Sequence, residues 1–590
     1  MPRILIVVCV GLLSIRYVAG EEPRTTAYSE PLLTSRDRSF WAFLPPGQPT
    51  PPIPGEHPID AFLLTRLRET GIADFAPPAS PETLRRRLSI TLTGLPPEGD
   101  ASDFAGDLEA LLSSPHYGER WAQHWLDLAR FAETDGFEFD AVRPDAWRYR
   151  DWVVSALNAD LPYDRFVAMQ IAGDLLDPGS AESAAATGFL LSGPDMPDLN
   201  LQEERRHLIL NGITGSIGSV FLGITLECAE CHDHKTDPVS QADFYRLRAI
   251  FEDFALPGKK RSLPVAYASG ERFAAHLYFR GDFRRPGPAL SPAVPAVLSG
   301  AGFKPEHPRL DLASEITRPD HPLTSRVIVN RVWQHHFGTG LVPSSSDFGK
   351  LGDRPTHPEL LDWLTVEFVR HGWSLKWLHR EIISSRAWQQ SSLRTEDDPD
   401  WEKRLSLDPD DALLSRRPRL RLDGETVRDF MLSISGRLNP AAGGPGVRPP
   451  LPPEVASTLQ KNQWPVTEDR LQQDRRSLYL FARRNLRYPL FEVLDRPDAN
   501  QSCARRHVST TAPQALTLLN DPFIHDMADA TAANLAGLER KEAISRAYQR
   551  ILGRSPTGEE SRRMNAFLDI GTMHDLVLAL FNVNEFLYLD

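Results

Sequence analysis

Cysteine is scarce in this chain, with only four among 590 residues. Cys9 lies in an apolar N-terminal run typical of a cleaved leader, so the mature chain keeps Cys228, Cys231 and Cys503. Three thiols cannot build the disulfide framework found in many small secreted domains. In an oxidising compartment, a retained Cys-x-x-Cys pair therefore needs a chemical reason, and this favours a bound metal or haem.

Long apolar runs are missing as well. The one candidate, residues 4–13, is too short to cross a bilayer. A short basic start precedes it at residues 1–3, and small residues at 18–20 suit cleavage before Glu21. Residues 1–20 are therefore predicted to be a signal peptide. The mature protein is predicted to be secreted or periplasmic and not integral to a membrane.

An excess of positive charge is also absent. The formal net charge is −13 and the pI is near 5.8, which disfavours binding to nucleic acid or to anionic membranes. With 41% hydrophobic and 25% charged residues, the composition is that of an ordinary globular protein. At this length the chain is expected to form two to four domains.

Apolar residues recur mostly at spacings of three and four, as in Ile59, Phe62, Leu63 and Leu67. This pattern predicts a mainly α protein with two helical lobes joined by a small β-containing segment. The predicted organisation is a signal peptide at 1–20, a Pro-rich linker at 21–57, a helical domain at 58–255, a linker or small β-containing insert at 256–308, and a second mainly helical domain at 309–590.

The stretch that organises this interpretation is Cys228-Ala229-Glu230-Cys231-His232-Asp233-His234. Two thiols at this spacing can each add to a haem vinyl group, which makes Cys228 and Cys231 candidates for haem c attachment and His232 the candidate axial ligand. Alternatively, Cys228, Cys231, His232 and His234 hold zinc or another divalent cation. A third hypothesis is a small redox disulfide. All three remain open from the sequence.

A second group of polar residues lies on and directly after the predicted helix that contains Tyr117, Trp121 and Trp125. His124, Asp127 and Arg130 lie on one arc of that helix, and Glu133 and Asp135 come directly after it. These five residues are candidate catalytic groups, or groups that orient a metal ligand. The alternative is a salt-bridged flank that orients neighbouring helices. We expect His124, Asp127 and Arg130 to lie close to the loop at 228–234.

Two further polar features lie in the second half of the chain. His335 and His336 are adjacent on a predicted helix, where neighbours point in different directions, so one exposed and one packed histidine is favoured over a metal-binding pair. Residues 495–498 and 503–507 combine acids, arginines and a histidine on loop-type sequence. They could line a site or close a turn.

The sequence as a whole resembles a planctomycete secreted two-domain family of unknown function, whose first domain carries a cytochrome-c-like CxxCH motif. The resemblance covers nearly the whole mature chain, and its strings lie at residues 117–121, 124–130, 135–137, 228–235, 330–338, 357–363 and 510–522. It implies little chemistry because these families have no established activity.

Three functions are compatible with these patterns. The first is an exported haem- or redox-linked protein that exchanges electrons with a redox partner. The second is an exported metal-dependent, hydrolase-like enzyme that acts on an extracellular polymer, with Asp127, Glu133 or Asp135 and His124 or His232 as acid, base or ligand. The third is a non-catalytic structural or binding protein.

Overall fold

The computed structural model describes residues 28–99, 103–256, 274–299, 307–396, 398–460 and 463–590. The predicted signal peptide and the first residues of the predicted linker lie outside this part of the chain. Within the described ranges, no helix has the length and apolar character needed to cross a membrane.

The first half of the chain is helical up to residue 249. Its α-helices are α1 (Ser35–Arg38), α2 (Pro58–Glu69), α3 (Pro81–Thr93), α4 (Phe104–Ser113), α5 (Pro115–Leu128), α6 (Trp147–Asn158), α7 (Tyr163–Leu176), α8 (Ala181–Ala186), α9 (Gly188–Leu191), α10 (Gln202–Ser216) and α11 (Gln241–Ala249). A π-helical segment (Ile217–Leu222) continues α10, and 3₁₀ turns lie at Trp41–Phe43 and Leu226–Glu230. Strands β1 (His276–Tyr278) and β2 (Pro286–Ala289), with a 3₁₀ turn at Phe279–Gly281 between them, form an antiparallel pair.

The second half is helical again. Its α-helices are α12 (Pro308–Ile316), α13 (Thr324–Phe337), α14 (Pro358–Arg370), α15 (Leu375–Ser384), α16 (Arg386–Gln389), α17 (Trp401–Leu407), α18 (Gly424–Ile434), α19 (Pro453–Ala456), α20 (Arg470–Gln473), α21 (Pro489–Val493), α22 (Ala512–Asn520), α23 (Pro522–Asn534), α24 (Arg540–Leu552), α25 (Gly558–Phe567), α26 (Met573–Phe581) and α27 (Asn584–Leu587). A 3₁₀ turn lies at Ser477–Tyr479, and β3 (Leu420–Arg421) pairs with β4 (Tyr588–Leu589). The predicted mainly α fold is confirmed.

Local sequence explains where the helices begin and end. The Ser80 side chain accepts a hydrogen bond from the Thr83 backbone N–H, and Pro81 occupies the first turn of α3, where no backbone N–H is needed. Gly94 ends α3 in the left-handed conformation that glycine adopts without strain. The same serine–proline start recurs at Ser114 and Pro115 of α5.

Two large apolar cores organise the described chain. The first contains residues from Ala42 to Leu414 and also Ala482, so it takes in helices from both sides of the β1–β2 segment. The second contains residues from Leu422 to Leu589 and also Ile90 of α3. The division between the cores therefore falls near residue 415, within the second half of the chain.

Buried ion pairs connect the two cores along α5. The Arg476 guanidinium lies 3.1 Å from a Glu119 carboxylate oxygen of α5 and 2.9 Å from an Asp429 oxygen of α18. It also donates to the Thr93 carbonyl of α3. Tyr479 donates a second hydrogen bond to Glu119. Charged groups removed from water need such partners, so this network fixes how α5 meets the C-terminal helices.

Replacing Arg476 with methionine tests the importance of this network. Arg476→Met leaves the Glu119 and Asp429 carboxylates buried without their cation, and we expect the free energy of unfolding to fall by about 3–5 kcal/mol. Chemical denaturation of the purified chain measures this loss. The matched control is Arg66→Met, whose ion pair with Glu69 is exposed and should contribute less than about 1 kcal/mol. Equal losses in the two variants would contradict the prediction.

Candidate functional site

The CxxCH loop is held by hydrogen bonds from helix α11 and from Tyr28 of the N-terminal segment. The Glu230 carbonyl accepts from the Gln241 side chain (2.8 Å) and from the Tyr245 hydroxyl (3.0 Å), both on α11. The Asp233 carboxylate accepts from the Tyr28 hydroxyl (2.7 Å) and from the Gln241 backbone N–H (2.8 Å). The backbone of the loop is therefore fixed by residues on either side of it in the sequence.

Three side chains of the loop remain at the surface. Cys228, Cys231 and His232 are exposed, and the two thiols are free. The Nδ1 atom of His232 lies 2.7 Å from the Asp233 carbonyl oxygen. A carbonyl oxygen only accepts, so Nδ1 carries the proton in the neutral ring and Nε2 keeps its lone pair.

His234 points into the protein. Its side chain is only 5% exposed, and its Nδ1 accepts a hydrogen bond of 2.8 Å from the Asp237 backbone N–H. The His234 side chain therefore stabilises the turn that leads into α11, and it does not face the solvent as His232 does. Among the residues that the structure describes, no three His, Cys, Asp or Glu side chains are grouped so that they could hold a metal ion.

The loop thiols lack the environment of a reactive redox pair. Burial and the nearby Glu230 carboxylate raise the pKa of the Cys231 thiol. Redox-active CxxC motifs show the opposite shift, because the thiolate is stabilised at a helix N-terminus or beside a cation.

The α5 histidine meets a histidine of α13. The rings of His124 and His335 stack with centroids 3.7 Å apart and planes 23° apart. Both histidines are half-buried, and Trp121 packs edge-on against each ring. Burial lowers the pKa of His335 to about 3, and it lowers the pKa of His124 as well, with neighbouring positive charges adding to the effect. The pair is therefore neutral near pH 7.

A second pair of histidines lies behind the first. The Trp388 indole N–H donates to Nδ1 of His336 (3.1 Å), and Nε2 of His336 lies 2.8 Å from Nδ1 of His379. Because an indole N–H only donates, His336 must carry its proton on Nε2 and donate to His379. Both rings are fully buried, and His379 packs on Trp121.

Asp127 belongs to a network of ion pairs that joins α5 to residues after position 420. Its carboxylate accepts two hydrogen bonds from Arg506, at 2.6 and 3.0 Å, and Arg506 also binds the Glu425 carboxylate. Two helical turns earlier, Arg120 pairs with Asp423 at 2.6 Å. Asp127 and Glu425 border an open cleft that Gln123, Phe131 and Arg496 also line. Arg496 also pairs with Glu425, at 3.3 Å, so both acids have arginine partners and neither is a free base in this arrangement.

The other three residues of the predicted site, Glu133, Asp135 and Arg130, do not line this cleft. Glu133 is buried and accepts backbone hydrogen bonds from Ala482 and Gly446. Asp135 pairs with Arg143 at 2.5 Å. Arg130 lies on the side of the CxxCH loop, within electrostatic range of Glu227, the residue before Cys228. The structure thus brings His124 and Asp127 to C-terminal partners and brings Arg130 towards the loop.

The interpretation from the sequence missed the partners in this cleft. His335, Glu425, Asp423 and Arg506 complete the arrangement around His124 and Asp127. Arg506 belongs to the polar loop at 503–507 that the sequence singled out, and His335 to the adjacent histidines that it also noted, but neither was connected with α5. Glu425 and Asp423 lie at an ordinary helix start, where Asp423 caps α18.

The depressed pKa of His335 predicts a pH effect on stability. Between its ordinary pKa of about 6.5 and its value of about 3 in the folded chain, only the unfolded chain binds the proton. Stability is therefore lost as pH falls below about 6.5. His335→Gln removes this pH-dependent contribution, so the free energy of unfolding of the variant should fall less steeply from pH 6 to 4. The two slopes should differ by at most about 1.4 kcal/mol per pH unit. Denaturation midpoints against pH measure the slopes.

The control for this experiment is His232→Gln, which removes an exposed histidine. His335→Gln should depart further from the slope of the unaltered chain than this control does, because the His335 ring is shielded from water and the His232 ring is not. If His335→Gln left the slope unchanged, the His335 imidazole would have to titrate normally in the folded protein.

Comparison with known families assigns the two halves of the chain. Residues 58–255 match the model described as PSCyt2, a protein of unknown function (DUF1549), and residues 308–568 match the model described as PSD1, a protein of unknown function (DUF1553). Searches of curated proteins and of solved structures gave no match. The chain thus matches the DUF1549 model in its first half and the DUF1553 model in its second, in the two-domain order of the family that its sequence resembles.

Proposed function

We propose that the CxxCH loop attaches a c-type haem and that the protein is an exported, haem-carrying redox protein. One observation carries the proposal. Attachment requires two thiols and an imidazole, and the side chains of Cys228, Cys231 and His232 are exposed. The loop backbone between them is held in place by hydrogen bonds from α11. When bound, a haem supplies one-electron chemistry.

The state of His232 supports its role as the axial ligand. Ligating histidines usually donate the second ring N–H to a carbonyl or carboxylate, which fixes the tautomer and the ring orientation. The contact between Nδ1 of His232 and the Asp233 carbonyl has this form. It leaves Nε2 as the lone pair that faces away from the loop backbone.

The two alternatives for the loop have less support. A tetrahedral zinc site needs four ligands around one point, but His234 is turned inward and accepts the Asp237 N–H through Nδ1. A redox disulfide favours a thiol of lowered pKa, whereas the pKa of Cys231 is raised. A protonated thiol is compatible with thioether formation, in which the S–H adds across a vinyl double bond.

The export predicted for residues 1–20 agrees with this assignment, because c-type haem is attached outside the cytoplasm. Electron exchange would then take place with another redox protein in the same compartment. An enzyme acting on an extracellular polymer has less support, since Asp127 is bound to Arg506, Glu133 to backbone N–H groups and Asp135 to Arg143.

Covalent haem is the measurable consequence. The full chain, produced in a host that attaches c-type haem, should keep stoichiometric haem after denaturation and should show a reduced-minus-oxidised visible spectrum. Cys228→Ser and Cys231→Ser should each lose one thioether, and the double variant should lose covalent haem. His232→Gln should alter the visible spectrum, because the proximal ligand is removed.

Two matched controls accompany these variants. Cys503→Ser removes the third mature thiol and should leave haem content unchanged. His234→Gln removes the inward histidine and should also keep covalent haem. Colourless chain that carries stoichiometric zinc, with the zinc lost in His234→Gln, would refute the proposal and assign the loop to a metal ion.

A further inference from the structure

Two histidines meet at the surface where α23 packs against α26. Nδ1 of His525 lies 3.1 Å from Nε2 of His574, in a direct contact between two ring nitrogens. The rings are nearly parallel, with planes 12° apart and centroids 5.2 Å apart. The His574 side chain is 23% exposed and His525 is half-buried, so solvent can reach the pair. Neither histidine belongs to the CxxCH loop or to the cleft beside α5.

The outer nitrogen of each ring faces a hydrogen-bond acceptor. Nε2 of His525 lies 2.9 Å from the Leu519 carbonyl oxygen, and Nδ1 of His574 lies 2.7 Å from a carboxylate oxygen of Asp529. Carbonyl and carboxylate oxygens only accept, so each outer nitrogen carries the proton of its ring. In neutral rings, the two inner nitrogens are then both lone pairs, and they face each other.

Two neutral rings cannot satisfy all three of these contacts. Each neutral imidazole has one N–H, whereas the three contacts need three. Two lone pairs at 3.1 Å repel each other unless a cation lies between them, and this cation is either a third proton or a metal ion. The buried pair of His336 and His379 shows the contrast. There the Trp388 N–H donates to the outer nitrogen of His336, so one proton per ring is enough.

Carboxylates lie around the pair. Asp529 contacts one ring directly, and Asp521 and Asp575 each lie within electrostatic range of one of the two rings. Asp526 of α23 pairs with Arg470 of α20 at 3.1 Å, so these two groups offset each other. The charges near the two rings are therefore negative in sum, and they favour a bound cation over two neutral rings.

We propose that His525 and His574 bind one divalent transition-metal ion, which replaces the proton between them. Imidazole nitrogen is a ligand for zinc, copper and nickel. Each ring already donates its other N–H to a carbonyl or a carboxylate, as metal-ligating histidines usually do. Two Zn–N bonds of about 2.0–2.1 Å to nitrogens 3.1 Å apart enclose roughly 100°, which is close to the tetrahedral angle. The ion then lies off the line between the nitrogens, and each ring tilts towards it.

The ligand set indicates an open site that joins two helices. Within the described ranges, no third His, Cys, Asp or Glu side chain forms a metal-binding group with the pair. The other positions on the ion are therefore left to water, in contrast to a closed structural site with four protein ligands. Because one ligand belongs to α23 and the other to α26, the bound ion should stabilise the packing of these helices. The site does not depend on the haem proposed for the CxxCH loop.

The test uses the full chain with both loop cysteines replaced by serine, so that neither a haem nor a metal ion at the CxxCH loop contributes. Zn²⁺ is the probe, and its affinity is measured by titration calorimetry. Zn²⁺ should bind and should raise the melting temperature, because the ion binds the folded chain in preference to the unfolded one. The Zn²⁺ affinity should also rise from pH 6 to pH 8, because the ion displaces a proton.

Three variants and one control locate the ion. Asp529→Ala removes the acceptor that orients the His574 ring and should lower the Zn²⁺ affinity by about tenfold. His525→Gln and His574→Gln each remove a ligand and should lower the affinity at least as far. The control is His371→Gln, which removes an exposed histidine that stacks on Trp377 and should leave the affinity unchanged.

Cu²⁺ serves as a second probe that counts the ligands. Its EPR spectrum should show hyperfine splitting from two nitrogens in the unaltered chain and from one in either histidine variant. Melting temperatures in EDTA check that the variants fold, and Asp529, which is 71% exposed, offers a variant that disturbs no core. An equal Zn²⁺ affinity in the unaltered chain and the three variants would overturn the proposal. Absence of Zn²⁺ binding at pH 8 would also overturn it, because the pair would then hold a third proton only.

Discussion

The arginine–carboxylate pairs along α5 are the interactions on which the rest of the molecule depends. Glu119 and Arg120 are neighbours on this helix, Asp127 lies two turns further on, and each of the three pairs with a charged residue from beyond position 420. Buried pairs of this kind contribute little net stability compared with apolar contacts, but they penalise any arrangement that separates the partners. They therefore set the register between α5 and the C-terminal part of the chain.

The same helix serves two different environments. Its middle carries the residues of the charged cleft, in which each acid is matched by an arginine. Its C-terminal cap presents Arg130 to the other side, where no internal acid pairs with it among the described residues. One helix thus separates a site whose charges are balanced from a site with an unbalanced cation.

The sequence predicted the fold class and part of the candidate site, for physical reasons that can be named. Spacings of three and four are visible in any helix that buries one face, so the mainly α architecture followed from positions such as Ile59 and Leu63. The arc of His124 and Asp127 was predicted in the same way. The stacking of His124 on His335 was not predictable, because it depends on a tertiary contact between distant helices.

The division between the two apolar cores has a consequence for the history of the chain. Helices α12 to α16 lie in the segment that matches DUF1553, yet their apolar residues pack in the same core as the segment that matches DUF1549. Conversely, Ile90 of the DUF1549 domain enters the second core. The boundary between the two matched segments therefore does not coincide with the boundary between the two apolar cores. Any recombination that replaced one segment alone would expose apolar surface on the other, so the two are expected to be inherited together.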